Sequence, residues 1–246
     1  TSVYCVPSML RAFLDEPGFG DCHSLRRVIC GGESLSIKGV NSFFDRLQSE
    51  FHHSYGPTET SIAATEWTCQ RETGYLIAPI GKPLGNIQIY ILDSVMQPVP
   101  IRVPGELYIG GIGIGRGYLN RPDLTAERFG PSPYGINSGA RCYRTGDLAC
   151  YLPDGNIEFC GRVDNQVKVR GYRIELGEIE TVLNSIPMVR EAVIMAREDE
   201  HRERQLVGYV VGEEAISLGA LREYLIGKLP GYMVPSAFVL LDAFPL

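Results

Sequence analysis

The chain contains 246 residues, of which 44% are hydrophobic and 21% charged, and its net charge at pH 7 is −6. This is the composition of a folded globular protein and not of a disordered or fibrous chain. The acidic balance supplies no positive field for nucleic acid or an anionic membrane, and no apolar run approaches the roughly 20 residues that cross a bilayer. We therefore expect no nucleic-acid partner, no membrane partner and a cytoplasmic location.

The seven cysteines are odd in number, and no two of them form a C-x-x-C pair. Most have apolar neighbours, which predicts buried, reduced thiols and not a disulfide framework. The four histidines include no pair spaced to bind zinc. The first residues, Thr1–Val6, lack an initiator methionine and the charged start of a signal peptide, so we expect the chain to be part of a longer polypeptide.

Residues 1–78 alternate strands with helices. Apolar strand-like runs at Val3–Val6 and Leu25–Cys30 each precede a helical pattern. This order predicts parallel strands in an α/β layer, where ligands bind at the carboxyl ends of the strands. Two polar segments, Gly31-Gly32 and Ser54–Thr60, stand at such ends.

Residues 79–163 have a different sequence pattern, in which short strand-like segments are separated by Gly, Pro, Asn and Asp. The strand-like segments are Gln88–Leu92, Gly105–Ile109, Ala149–Tyr151 and Ile157–Cys160. Pro153-Asp154-Gly155-Asn156 is a hairpin turn between the last two. These features predict a small β-barrel or a curled sheet packed on the α/β part.

Residues 164–246 predict a small α+β domain, with the boundary near Asp164. The predicted elements are a helix at Gly177–Ile186, strands at Val189–Ala196 and Gln205–Val211, a helix from Ser217 to Lys228 and a strand at Ala237–Leu241. Ser217 is a plausible N-cap for the second helix. The predicted fold class is therefore α/β, with a parallel α/β layer (residues 1–78) and a small β-barrel or curled sheet (residues 79–163), followed by a small α+β domain.

The loop Ser54–Thr60 combines groups that an ordinary turn does not need together. Thr58 offers a hydroxyl beside the carboxylate of Glu59, a pair that suits Mg²⁺ bridging to phosphate oxygens. The alternative is a turn followed by a helix N-cap, and the loop alone does not decide between them.

Three further polar segments each allow a functional and a structural interpretation. Asp147, in Tyr143–Leu148, either accepts ribose hydroxyls or forms a turn. The cationic alternation in Gly161–Arg173 either contacts phosphate or pantetheine or is a solvated hairpin. The glycines of Gly110–Gly117 fit no G-x-G-x-x-G register and open no helix, so we reject dinucleotide binding there.

The order and spacing of five segments resemble one family closely. The segments are Ser54–Thr60 (SYGPTET), Gly105–Leu119 (GELYIGGIGIGRGYL), Tyr143–Leu148 (YRTGDL), Gly161–Glu180 (GRVDNQVKVRGYRIELGEIE) and Leu229–Pro235 (LPGYMVP). Together they resemble the adenylation domains of nonribosomal peptide synthetases, in the superfamily of acyl-CoA synthetases and firefly luciferase. The resemblance implies the C-terminal part of a large adenylate-forming domain (residues 1–163) followed by an incomplete small C-terminal domain (residues 164–246).

The activity that this resemblance implies is ATP-dependent activation of an amino acid. The substrate carboxylate attacks the α-phosphate to give aminoacyl-AMP and pyrophosphate, and the acyl group then passes to a phosphopantetheine thiol. ATP and Mg²⁺ are the implied cofactors. The implied partners are an amino acid, a peptidyl carrier protein and a condensation domain of the same synthetase.

The resemblance also implies roles for individual residues at the nucleotide. Tyr55 would stack on adenine, Thr58 would touch phosphate, and Glu59 would hold Mg²⁺. Asp147 would bind the ribose, and Arg162 would reach ribose or phosphate. The other implied nucleotide-binding positions are Gly31, Gly32, Glu33, His53, Ser54, Gly56 and Phe159.

Further roles concern the substrate, the hinge and the carrier protein. The implied amino-acid pocket consists of Tyr4, Ile29, Gly31, Ser54, Ile62 and Ala63. Asp164 matches the hinge of the small domain. Lys168, Arg170 and Gly171 match the loop that moves toward the pantetheine tunnel, and Lys168 joins Thr58, Glu59 and Arg162 among the implied catalytic residues.

Two departures and two absences bear on these roles. His53 replaces a usual Asn that contacts adenine, and Phe159 replaces a hydroxyl-bearing aromatic residue. The family's phosphate loop would precede Thr1 and its catalytic lysine would follow Leu246, so we expect the chain alone to be inactive. The alternatives are an acyl-CoA-synthetase-like ligase and a non-catalytic module that binds a nucleotide or a carrier protein.

Overall fold

The computed structural model describes residues 1–134, 139–198, 204–213 and 216–244. The chain divides into two compact units, Thr1–Asp164 and Asn165–Leu246. In the described residues, no helix has both the length and the apolar character that a bilayer-crossing segment requires.

The first unit begins with a five-stranded sheet and two helices that pack on it. In chain order its elements are β1 (Ser2–Cys5), α1 (Pro7–Asp15), β2 (Arg27–Gly31), α2 (Ile37–Arg46), β3 (Glu50–Tyr55), β4 (Thr65–Thr68) and β5 (Lys82–Pro83). The strand order is β1-β2-β3-β4-β5. Strands β1 to β3 pair in parallel, as predicted, whereas β4 and β5 pair antiparallel.

Helix α2 shows how the sequence builds this layer. The Ser36 hydroxyl accepts a hydrogen bond from the Gly39 backbone N–H at 3.1 Å, so it caps the first turn. Ile37, Val40 and Phe43 recur at helical spacing and are buried. Phe43 packs on Phe51 of β3, with ring centroids 4.3 Å apart. The apolar stripe of α2 therefore covers one face of the sheet.

The rest of the first unit is an antiparallel sheet. Its elements are β6 (Ile87–Leu92), β7 (Gly105–Gly111), α3 (Pro122–Arg128), β8 (Phe129–Pro131), β9 (Arg141–Tyr151) and β10 (Ile157–Arg162). The strand order is β10-β9-β7-β6, with β8 also paired to β9. An antiparallel bridge between Gly81 and Ile157 connects this sheet to the chain that leads into β5.

Strand β9 corrects one interpretation from the sequence. The sequence allows a turn at Asp147, but the segment Tyr143–Leu148 lies inside a single 11-residue strand. The Thr145 hydroxyl donates to the Leu107 carbonyl at 2.7 Å and accepts from the Asp147 N–H at 2.9 Å. Because these polar groups are hydrogen-bonded, they can be buried within a strand.

The second unit combines a hairpin, two helices and a three-stranded sheet. Its elements are β11 (Gln166–Val169), β12 (Tyr172–Glu175), α4 (Leu176–Asn184), β13 (Val189–Glu198), β14 (Arg204–Gly212), α5 (Leu218–Ile226) and β15 (Ala237–Leu241). Strands β13 and β14 are antiparallel, and β15 pairs in parallel with β14. The predicted elements of this region are present with boundaries shifted by a few residues.

Two local predictions are confirmed in their main point. Ser217 is the N-cap residue of α5, as predicted, although its side chain makes no cap hydrogen bond. All seven cysteines are free thiols and five are buried, as predicted, whereas Cys22 and Cys160 are exposed.

Candidate functional site

A buried polar cluster in the first unit joins residues from three of the five motifs. Asp147 of β9 is only 4% exposed, and its carboxylate accepts a hydrogen bond from the hydroxyl of Tyr55, the last residue of β3. Tyr55 itself is 6% exposed. Burial and the adjacent Asp147 carboxylate raise the pKa of Tyr55 well above its usual value, so its hydroxyl remains a neutral donor.

Arg162 of β10 is the third member of this cluster. Its guanidinium donates to the second carboxylate oxygen of Asp147 and forms a bidentate pair with Asp164, at 2.6 Å and 2.7 Å. A further bond of 3.3 Å reaches the Thr145 carbonyl. Burial alone would lower the pKa of Arg162, but the hydrogen bonds and charges of Asp164 and Asp147 outweigh it and raise the pKa. The guanidinium therefore stays cationic between two carboxylates.

Gly146 allows these groups to converge. Its φ is +74°, a left-handed conformation that side chains disfavour. A Cβ atom at this position would lie 2.9 Å from Arg162 Nη2, 3.1 Å from Asp164 Oδ2 and 3.2 Å from Arg128 Nη1. Two features therefore require glycine here: the left-handed backbone conformation and the lack of space for a Cβ atom. Arg128, at the end of α3, was not among the residues predicted from the sequence.

The segment Thr58–Thr60 forms a short 3₁₀ helix directly after β3 and Pro57. Thr58 is exposed and Glu59 is partly buried. The Glu59 carboxylate accepts a hydrogen bond of 2.7 Å from the Tyr118 hydroxyl. Thr60 donates to the Pro57 carbonyl at 3.1 Å, which closes the turn.

Glu59 fits Mg²⁺ only as part of a shared coordination shell. In the described ranges, no group of three or more His, Cys, Asp or Glu side chains is arranged to hold a metal ion. Mg²⁺ in nucleotide sites takes one or two carboxylates and completes its shell with phosphate oxygens and water. One carboxylate beside the Thr58 hydroxyl matches that donor set, with nucleotide phosphates supplying the remaining oxygens.

The residues predicted to line an amino-acid pocket lie on neighbouring parallel strands and the loop that follows them. Tyr4 pairs with Ile29, and Gly31 pairs with Ser54, two residues further along. A Cβ at Gly31 would lie 2.7 Å from the Tyr4 hydroxyl and 2.5 Å from the Ser54 carbonyl. Tyr4 is 52% exposed and Ile62, after the 3₁₀ helix, is 61% exposed. Ala63 follows Ile62 and is partly buried.

His53 and Glu33 have local partners in this structure. His53 is buried, with Nδ1 2.8 Å from the Pro79 carbonyl oxygen and Nε2 3.4 Å from that of Glu33. The Glu33 carboxylate accepts from the N–H and the hydroxyl of Ser8, at 3.0 Å and 3.3 Å. An acidic group at the first turn of α1 is favourable because of the helix dipole. Both residues therefore have structural roles that the sequence did not reveal.

The remaining predicted residues are distributed over the two units. Phe159 is partly buried against the core of the antiparallel sheet. Gly32, with φ +87°, and Gly56 follow β2 and β3. Lys168 lies in β11 of the second unit, and Arg170 and Gly171 form the two-residue turn between β11 and β12.

Family models match both units of the chain. The family model described as AMP-binding enzyme matches residues 1–119, and that described as AMP-binding enzyme C-terminal domain matches residues 178–246. The two matches together cover most of the chain. The chain belongs to the AMP-binding enzyme family.

Named relatives are peptide synthases and synthetases. Over its whole length the chain is 47% identical to tyrocidine synthase 3 from Brevibacillus parabrevis and 48% identical to phosphinothricin tripeptide synthetase PhsB from Streptomyces viridochromogenes. It spans only 4% and 21% of the lengths of these relatives.

A solved structure agrees in fold. The chain is similar to NpsA-ThdA, an artificially fused adenylation-PCP di-domain of a nonribosomal peptide synthetase from Klebsiella oxytoca, with a TM-score of 0.84 and 27% identity. The match covers 97% of this chain and 44% of that one. This similarity confirms the predicted fold class, which is the C-terminal part of an adenylate-forming α/β domain followed by a small α+β domain.

Proposed function

We propose that the chain is a segment of a nonribosomal peptide synthetase adenylation domain that activates an amino acid with ATP and Mg²⁺. The activated aminoacyl-AMP then passes its acyl group to the phosphopantetheine thiol of a carrier protein. The observation that carries this proposal is the convergence of Tyr55, Asp147 and Arg162, from three distant motifs, on one buried polar cluster.

Asp147 is the proposed ribose-binding residue. A carboxylate has about four lone-pair positions, and the Tyr55 hydroxyl and the Arg162 guanidinium each occupy one oxygen. The remaining lone pairs suit the two hydroxyls of a ribose. Because Asp147 is 4% exposed, a nucleotide must displace a covering side chain to reach it. We propose that the Tyr55 ring moves in this step and stacks on adenine.

Arg162, Thr58 and Glu59 are the proposed phosphate side of the same site. Arg162 carries a permanent positive charge that neutralises phosphate oxygens as negative charge develops there. Thr58 presents an exposed hydroxyl and Glu59 the carboxylate for Mg²⁺. The metal, when bound, supplies charge neutralisation between the phosphates. Gly31, Gly32, Glu33, His53, Ser54, Gly56 and Phe159 complete the proposed nucleotide site.

The face formed by Tyr4, Ile29, Gly31 and Ser54, with Ile62 and Ala63 from the following loop, is the proposed amino-acid pocket. No charged side chain belongs to this set, which disfavours a strongly charged substrate side chain. Asp164 is the proposed hinge, and the hairpin with Lys168, Arg170 and Gly171 is the proposed pantetheine contact. The likeness to an adenylation-PCP di-domain supports a carrier protein as partner, and we also propose a condensation domain and a cytoplasmic location.

Pyrophosphate exchange with the full-length polypeptide encoded by the gene tests this proposal. We expect exchange of label from pyrophosphate into ATP that depends on one amino acid from a panel of the proteinogenic set. Mass spectrometry then follows the acyl group onto a carrier protein and onto coenzyme A. Loading of the carrier supports the proposal, transfer to coenzyme A favours an acyl-CoA-synthetase-like ligase, and nucleotide binding without exchange favours a non-catalytic module.

A further inference from the structure

The glycine-rich loop that follows β7 is close to Glu59, although the proposed site gives it no role. The Gly115 N–H donates to the Glu59 carbonyl at 2.8 Å, and the Ser61 hydroxyl donates to the Gly113 carbonyl at 2.8 Å. The loop therefore runs alongside the 3₁₀ helix Thr58–Thr60 and is hydrogen-bonded to residues on both sides of Thr60.

The loop is itself held from a second side. Arg141, the first residue of β9, donates to the Arg116 carbonyl at 3.0 Å and to the Gly115 carbonyl at 2.9 Å. The Tyr118 N–H donates to the Thr125 hydroxyl of α3 at 2.9 Å. These bonds fix the backbone that carries the Tyr118 side chain.

Tyr118 brings this support to the carboxylate of Glu59. Its hydroxyl donates to Glu59 Oε1 at 2.7 Å and lies 3.3 Å from the Tyr143 hydroxyl. Its ring packs edge-on against Phe129, with centroids 5.5 Å apart and an interplanar angle of 74°. The aromatic packing restricts the ring, and the hydroxyl in turn restricts the carboxylate.

We propose that Tyr118 is a positioning residue that holds the Glu59 carboxylate in the orientation required to bind Mg²⁺ with ATP. This inference rests on the proposed function. Groups that orient a metal ligand through a hydrogen bond contribute to metal affinity because the ligand need not be ordered on binding. Burial, together with Tyr143 and Glu59, raises the pKa of Tyr118, which keeps the phenol a neutral donor.

The matched pair of variants is Tyr118→Phe and Tyr75→Phe. Tyr75 also donates from its hydroxyl to a carboxylate, at 2.6 Å to Asp154, but it has no place in the proposed site. Each substitution removes one phenol-carboxylate hydrogen bond and keeps the ring. Both variants are made in the full-length polypeptide, and thermal unfolding records any loss of stability.

The first measurement does not depend on turnover. Binding of Mn²⁺ in the presence of a non-hydrolysable ATP analogue is followed by the electron paramagnetic resonance signal of free Mn²⁺. We expect Tyr118→Phe to weaken Mn²⁺ binding on the order of 10-fold, the lower range for loss of a ligand-orienting partner. Tyr75→Phe should bind as the wild type does.

The second measurement separates the inference from the proposed function. In pyrophosphate exchange, Tyr118→Phe should raise the half-saturating Mg²⁺ concentration and leave the KM of the amino acid unchanged. In a Glu59→Gln background, the same substitution should have no further effect on metal binding. If the wild type catalyses exchange and Tyr118→Phe has the same metal titration as the wild type, only the proposed role of Tyr118 is overturned. A wild type that neither exchanges nor binds Mn²⁺ with the analogue overturns both proposals.

Discussion

The proposed site residues of the two units differ in their burial. In the first unit, Asp147 is buried and Arg162 is largely buried, and each is hydrogen-bonded to a charged partner. In the second unit, Arg170 and Gly171 are exposed at the tip of a hairpin, with φ values of +50° and +80°. A buried, hydrogen-bonded cluster is suited to recognising a small molecule in one geometry. An exposed tip is suited to a macromolecule that arrives from solution.

The hairpin is supported by local contacts within its own unit. Tyr172 stacks on Tyr232 with ring centroids 4.2 Å apart and an angle of 6° between the rings. Arg173 donates to the Gln166 side chain at 2.7 Å, and Gln166 donates to Glu175. Two of the five motifs thus meet at a pair of tyrosines. The comparison predicts that substitutions in the cluster affect stability and nucleotide binding, whereas substitutions at the tip affect transfer.

The largest expected effect comes from Asp147→Ala. It removes one partner of a buried ion pair and leaves Arg162 without one of its two carboxylates, so we expect a loss of about 3–5 kcal/mol in the free energy of unfolding. Urea unfolding of the chain measures this loss. Arg27→Ala is the control, because the Arg27–Glu50 pair is on the surface and should contribute far less. Equal shifts for the two variants would contradict the account of the cluster.

The next effect concerns Gly146→Ala, compared with Gly155→Ala. Both glycines have a similar φ, +74° and +80°, so each substitution should cost about 1–2 kcal/mol for the left-handed backbone. Only at Gly146 does the new Cβ meet Arg162 and Asp164, which adds about 1–3 kcal/mol for overpacking. At Gly155 its nearest neighbour is the Lys82 side chain at 3.7 Å. Thermal unfolding of both variants isolates the cost of crowding the cluster, and equal losses would mean that the cluster tolerates the extra atom.

The smallest effect on stability is expected from Arg170→Asn at the hairpin tip. Asn accepts the left-handed conformation better than Arg, so the variant should gain up to about 1 kcal/mol. Arg102, with φ +65°, lies outside every proposed site, and Arg102→Asn should gain a similar amount. Acyl loading of a carrier protein should fall in Arg170→Asn alone, while pyrophosphate exchange stays at the wild-type rate in both. Unchanged loading would remove the hairpin tip from the proposed carrier contact.

The sequence predicted the type of most secondary-structure elements better than it predicted the surroundings of the site residues. Apolar periodicity in α2 and in the strands around it was sufficient, because burial of these side chains dominates the local choice of structure. Asp147 was harder, since its position inside a strand depends on the Thr145 hydroxyl, which accepts from its N–H and donates to the neighbouring strand β7. Local propensity favours a turn there, and the tertiary hydrogen bonds override it.

Contacts between segments that are distant along the chain could not be predicted from the sequence. Glu33 was predicted at the nucleotide, but its hydrogen bonds to Ser8 exist only because β2 lies beside β1. Tyr118 and Arg128 were missed for the same reason. One signal for Tyr118 was present in the sequence. Tyr118 belongs to the motif Gly105–Leu119, which supports the family resemblance although none of its residues received a role.

The most direct test of the central claim uses two nucleotides and two proteins. ATP and 2′,3′-dideoxy-ATP differ only in the hydroxyls that Asp147 is proposed to bind, and Asp147→Asn retains the shape of the side chain while removing its charge. Equilibrium binding to the full-length wild type should favour ATP by about 10-fold or more, since a hydrogen bond to a charged group contributes about 1.5–3 kcal/mol. In Asp147→Asn the preference should fall close to unity. An undiminished preference in the variant would contradict the assignment of Asp147 to the ribose.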